Sequence, residues 1–177
     1  MVSRLITVGL VAGVLATGLV AAAFARERQS PSASVSGQDQ TWLKTSAQGD
    51  LFEIQGGKLA LQRGQSASVK ALAQRLVKDH SKSLSDAKKL AAKLNVTLEN
   101  SPTPSEQWEL QVVASFSGKQ FDRWYSTLEV KDHQQDIQET TDEIKLGSNS
   151  DVKREAQKDL PMLRMHLSLA EKAMRSS

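Results

Sequence analysis

The chain contains three histidines, and each falls on the apolar side of a different helical segment. His80 sits in "LVKDHSKSL", where a leucine would pack at lower cost. His133 sits in "EVKDHQQDI" and His166 in "LRMHLSL". A fourth segment has no histidine, but it places Glu53 on a stripe of small residues with Gly49, Gly56, Ala60 and Gly64. Neutral imidazole is a ligand for Zn, Cu, Fe and Ni. Helical bundles build metal sites from inward-facing side chains on several helices. Glu53, His80, His133 and His166 are therefore the candidate ligand set for a transition metal ion, with Asp132 and Asp136 as candidate assistants.

The acids beside these histidines need separate treatment. Adjacent residues on a helix do not face each other, so neither Asp79-His80 nor Asp132-His133 is a chelating pair. His133 has facing carboxylates in Glu129 and Asp136. His80 and His166 have none at those offsets and must meet a partner on another helix or remain neutral and partly unsatisfied. The competing reading is structural, since a core histidine is ordinarily a hydrogen-bonded residue with no ligand. Distance decides between them. Rings gathered within about 5 Å of one point favour ligation, because metal–nitrogen bonds are about 2 Å. No nucleophile elbow, phosphate-binding glycine loop or zincin motif is present. The expected role is binding or structural interaction rather than catalysis.

Four helical segments must position these groups. The first is expected over about 41–63, ending at Gly64 as a C-terminal cap. The short "GQSAS" makes it an antiparallel hairpin with the second, about 68–94. There Val69, Leu72, Leu76, His80, Leu84, Ala87 and Leu94 keep the helical period. The third opens on the capping box Thr103-Pro104-Ser105-Glu106. It is expected to break or kink near Gly118 and to continue to about Leu146. Phe121, Trp124 and Tyr125 read as core on one side of it, and Val130, His133, Ile137 and Ile144 on the other. The fourth runs to about Met174, with a kink expected at Pro161. No segment alternates with a strand period. The expected fold is all-α, a four-helix bundle.

The first 25 residues carry one charge, Arg4, then an apolar run and Ala23-Phe24-Ala25. That is the layout of a cleaved signal peptide over 1–25, and an uncleaved anchor is the alternative. Residues 26–40 read as a flexible Ser/Gln/Gly-rich linker, and 41–175 as the folded domain. Export places the protein in the periplasm or cell envelope, with no membrane span once the leader is removed. The chain has no cysteine, 23 Lys and Arg, and 20 Asp and Glu. The charges are interspersed, so no nucleic-acid footprint is expected. An envelope stress or adhesion bundle with purely structural histidines remains the alternative function. A pH sensor built on buried imidazoles is a third reading.

The stretches "DLFEIQGGKLALQRGQSASVKALAQRLVKDHSKSL", "FDRWYSTLEVKDHQQDI" and "LPMLRMHLSLAEKA" resemble domain-of-unknown-function family 4142. That family is often labelled "predicted outer membrane protein". The resemblance covers about 41–174. Its marks are Glu53, Asp79-His80, Asp132-His133, and Leu160-Pro161 followed by His166. It implies an exported bacterial domain of ferritin-like fold with no assigned chemistry. Di-iron bundles carry Glu three residues before His. Here those positions hold Val77, Val130 and Leu163, so ferroxidase chemistry is not implied.

Overall fold

The computed structural model describes residues 34–177. The expected leader and most of the expected linker lie outside them. All regular structure among the described residues is helical, in five helices: α1 (Gly37–Arg63), α2 (Ala67–Leu94), α3 (Pro104–Ala114), α4 (Gly118–Leu146) and α5 (Ser150–Arg175). None is long and apolar enough to cross a membrane.

α1 begins four residues earlier than expected. Ser36 and Asp39 form a capping box. Asp39 also accepts hydrogen bonds from the backbone N–H groups of Ser148 and Asn149. Residues 37–40 are therefore helix rather than linker, held by the turn between α4 and α5. The third segment, expected to break or kink near Gly118, does break there into two helices. α3 starts on the expected Thr103–Glu106 box, and the chain breaks before Gly118, which adopts φ +61°. α5 runs through Pro161 as one helix. Gly64 closes α1 in an extended rather than left-handed conformation. Its lack of a side chain serves close packing, because a Cβ there would lie 2.6 Å from the Ala60 carbonyl oxygen.

α1 pairs with α2 and α4 with α5, and α2 packs on α5 and α1 on α4. The buried side of α1 is the small-residue stripe with Gly49, Glu53, Gly56 and Ala60, together with Trp42, Asp50 and Phe52. Gly57 brings α1 against α2 at Ala73 and Val77. Two apolar clusters fill the interior. One contains Leu72, Leu76, Phe121, Tyr125 and Ala170, and the other Trp42, Leu43, Leu84, Val152 and Ala156. Along each of the four long helices, the candidate polar residues fall between the positions that feed these two clusters.

The aromatic group divides. Phe121 and Tyr125 are fully buried and stacked, with ring centroids 5.8 Å apart. Trp124 is 49% exposed and stacks on Phe116 instead. The expected second apolar face of α4 is also only half buried. Its inward side carries Glu129, His133, Thr140 and Glu143, so helix period alone misjudged which side was wet.

Candidate metal centre

His80 from α2, His133 from α4 and His166 from α5 meet at one interior point. All are buried. Their ring centroids are 5.0 Å (His80–His166), 5.3 Å (His133–His166) and 5.8 Å (His80–His133) apart. One ring nitrogen of each lies within 4.8 Å of the others. Tetrahedral ligands on bonds of about 2.0–2.1 Å sit about 3.3 Å from one another.

Each ring is held by one nitrogen and leaves the other without a hydrogen bond. His80 Nδ1 is 2.8 Å from Asp50 Oδ1 on α1. His133 Nδ1 donates to the Glu129 carbonyl oxygen at 2.9 Å. His166 Nε2 lies 3.0 Å from Asp79 Oδ2. The remaining nitrogens, His80 Nε2, His133 Nε2 and His166 Nδ1, are buried and unpartnered. Metal-ligating histidines characteristically pass their second N–H to a carboxylate or carbonyl, which fixes tautomer and ring angle. All three rings are anchored in this way. An unpaired buried nitrogen costs about 1–3 kcal/mol, so three of them within one histidine cluster suit a cation.

Asp79 is itself held by Arg75, one helical turn earlier and 45% exposed. A line of contacts thus runs from solvent through Arg75 and Asp79 to the ring of His166. Asp50 and Asp79 were absent from the sequence-derived set. Asp79 was set aside because it adjoins His80, yet its partner is on α5. Asp50 carried one signal: it lies three residues before Glu53 and so shares its helix face.

Glu53 is fully buried but belongs to a different group. It gathers with Glu129 and His133, with Glu53 Oε1 3.7 Å from His133 Nδ1, the nitrogen already bonded to the Glu129 carbonyl oxygen. Asp132 is close enough to raise the pKa of Glu53. Asp136 lines a cavity of about 20 Å³ beside Asp50, His80 and Asp159, room for about one water molecule. The three histidines are thus brought together, while the expected fourth ligand and its assistants line the neighbouring walls.

Burial dominates the electrostatics. It lowers the pKa of His80 to about 4, of His133 to about 3 and of His166 to about 4, where the other rings add repulsion at His133 and the ring of His80 does so at His166. The rings are therefore neutral, the form that ligates. Burial pushes Asp50, Glu53 and Asp136 well above the carboxylate range.

No curated protein matches the chain. Among solved structures, the crystal structure of a DUF305 fragment from Deinococcus radiodurans is similar in fold. Its TM-score is 0.71 at 14% identity, covering 81% of this chain and 99% of that one. The family model described as Domain of unknown function (DUF4142) matches residues 24–173, and the chain belongs to that family.

Proposed function

We propose that this protein is an exported metal-binding domain of ferritin-like, four-helix-bundle type. It holds one transition metal ion between His80, His133 and His166. The observation that carries the reading is the set of three buried, unpartnered ring nitrogens, each on a ring whose other nitrogen is already bonded. Imidazole ligation suits Zn, Cu, Fe or Ni. Three nitrogens leave a tetrahedral position open for a fourth ligand. Asp50, Asp79 and the Glu129 carbonyl orient the rings and make them better donors. Residues 1–25 act as the export signal in this reading, which places the bundle in the periplasm or envelope.

The test is metal content after mild dialysis. Near-stoichiometric retention by the unaltered protein, abolished by His133→Ala, is the expected result. Single His→Gln variants that lose stability, in a protein that never retains a metal, would favour the structural alternative.

A further inference from the structure

The other face of the His133 ring meets a second group of buried polar atoms that the histidine site does not use. Glu53 and Glu129 are 0% and 1% exposed, and one ligating atom of each lies within 4.8 Å of the other. Both oxygens of Glu53, Oε2 of Glu129 and Oδ2 of Asp132 make no well-formed hydrogen bond, and Glu53 lies close enough to Glu129 and Asp132 to share protons with them. The fully buried hydroxyl of Tyr125 makes no well-formed hydrogen bond either and lies beside Glu129. Burial and then the nearby charge of Glu129 and Glu53 hold its proton on. Among the described residues, no Lys or Arg forms an ion pair with Glu53, Glu129 or Asp132.

Gly56, three residues beyond Glu53, faces α4, and a Cβ there would lie 3.7 Å from both Glu129 Oε1 and Tyr125 Cε2. Both distances are ordinary contact, so α4 presents a carboxylate and a phenol directly against α1 at this point. His133 is the partition. Its Nδ1 is 3.7 Å from Glu129 Oε2, but that nitrogen gives its hydrogen to the Glu129 carbonyl oxygen and so is no ligand. Only oxygens remain on this side, while nitrogen faces the other.

We propose that Glu53 and Glu129, supported by Asp132 and the Tyr125 hydroxyl, form a second, all-oxygen site that takes a hard divalent cation of the Mn²⁺ class. Carboxylate oxygen prefers such ions, whereas imidazole prefers Zn or Cu. Binding would displace the protons that burial keeps on Glu53 and Glu129, and the divalent ion would balance the two carboxylates so formed. The pairing of a nitrogen site and an oxygen site on opposite sides of one ring gives the domain places for two ions of different hardness. This extends the reading of the polar belt as cation-binding, but it does not require the histidine site to be filled.

The experiment titrates Mn²⁺ into the purified protein and follows loss of the free-ion electron paramagnetic resonance signal. It is run once with metal-free protein and once after loading one equivalent of Zn²⁺. One bound Mn²⁺ per chain is expected in both. Glu53→Gln should weaken Mn²⁺ binding at least 100-fold and leave Zn²⁺ retained. His166→Ala should lose Zn²⁺ and keep Mn²⁺. Tyr125→Phe, with a melt near that of the parent, should weaken Mn²⁺ about tenfold and serves if Glu53→Gln fails to fold. Mn²⁺ that stays free in the unaltered protein overturns the proposal, because the carboxyls then satisfy one another by sharing protons. So does a Glu53→Gln protein, or a Tyr125→Phe one, of unchanged Mn²⁺ affinity, or Mn²⁺ lost in His166→Ala. Bound Mn²⁺ without retained Zn²⁺ would overturn the histidine site alone.

Discussion

Asp79 adjoins His80 in the chain, but the imidazole it holds is that of His166, at 3.0 Å across the α2–α5 interface. His80 turns instead to Asp50 on α1. The two side chains of one dipeptide therefore serve different rings, and α2 stitches α1 and α5 to a common centre. Side chains one residue apart on a helix point in directions about 100° apart, which is what allows this division.

Asp79→Asn is expected to weaken metal binding about 10–100-fold, the usual cost of losing a partner behind a ligating histidine. Asp50→Asn should do the same through His80. Competition against a chromophoric chelator measures both. Unchanged affinity in the two variants would mean that these carboxylates only fill space.

Zn²⁺ at about 100 times its dissociation constant adds about 2.7 kcal/mol to stability. For a domain of this size, that should raise the melting temperature by about 5–10 °C. His133→Ala should show no such rise. A scan with and without the metal reads it directly.

The metal-free protein is expected to lose stability as pH rises from 6.5 to 8. Burial, with the charges of Glu155 and Asp50, pushes Asp159 up to about 7. Burial likewise pushes Glu129 up to about 8. A raised carboxyl contributes stability that is fully present below its unfolded value and lost as pH climbs through the folded one. The histidines act oppositely. Their folded values of about 3–4 make their contribution complete above about 6.5, with losses only as pH falls below that. Above 6.5 the carboxyls alone titrate, at about 1.4 kcal/mol per pH unit for each extra proton on the folded chain. Melts at pH 6.5, 7.2 and 8 should fall in that order. With Zn²⁺ bound the trend should flatten, since the positive charge of the ion lowers the pKa of the buried carboxyls around it.

Gly57→Ala should destabilise the protein by about 1–3 kcal/mol through overpacking. Its Cβ would lie 2.6 Å from Val77 Cγ2 and 3.1 Å from the Ala73 carbonyl oxygen, so backbone must shift. Gly56→Ala meets a yielding Leu110 methyl at 3.3 Å and should cost less. Chemical denaturation of the two variants separates the cases.

The helical elements and the three rings were legible because apolar period and polar exceptions both show in sequence. Val69, Leu72, Leu76 and Leu84 mark the inward face of α2, and His80 falls in line with them. The cap at Thr103–Glu106 was legible for the same local reason. What stayed hidden was non-local. Nothing around Asp79 tells that α5 brings His166 to it. Nothing around Glu53 tells that it stops beyond His133, beside Glu129. Trp124 misled because residue type suggests burial, while its position on α4 turns it outward. The start of α1 was missed because Asp39 draws its partners from Ser148 and Asn149, more than a hundred residues away.

Arg75 is the far end of the line that reaches His166 through Asp79, and nearly half of its side chain is bathed in solvent. The most deeply enclosed chemistry of the molecule therefore has a handle on the exterior. Salt that screens this guanidinium, or an anion that draws it away, frees Asp79 to pull harder on the imidazole. In the proposed histidine site, the hold on an ion would therefore answer to the composition of the surrounding fluid or to one surface substitution at Arg75.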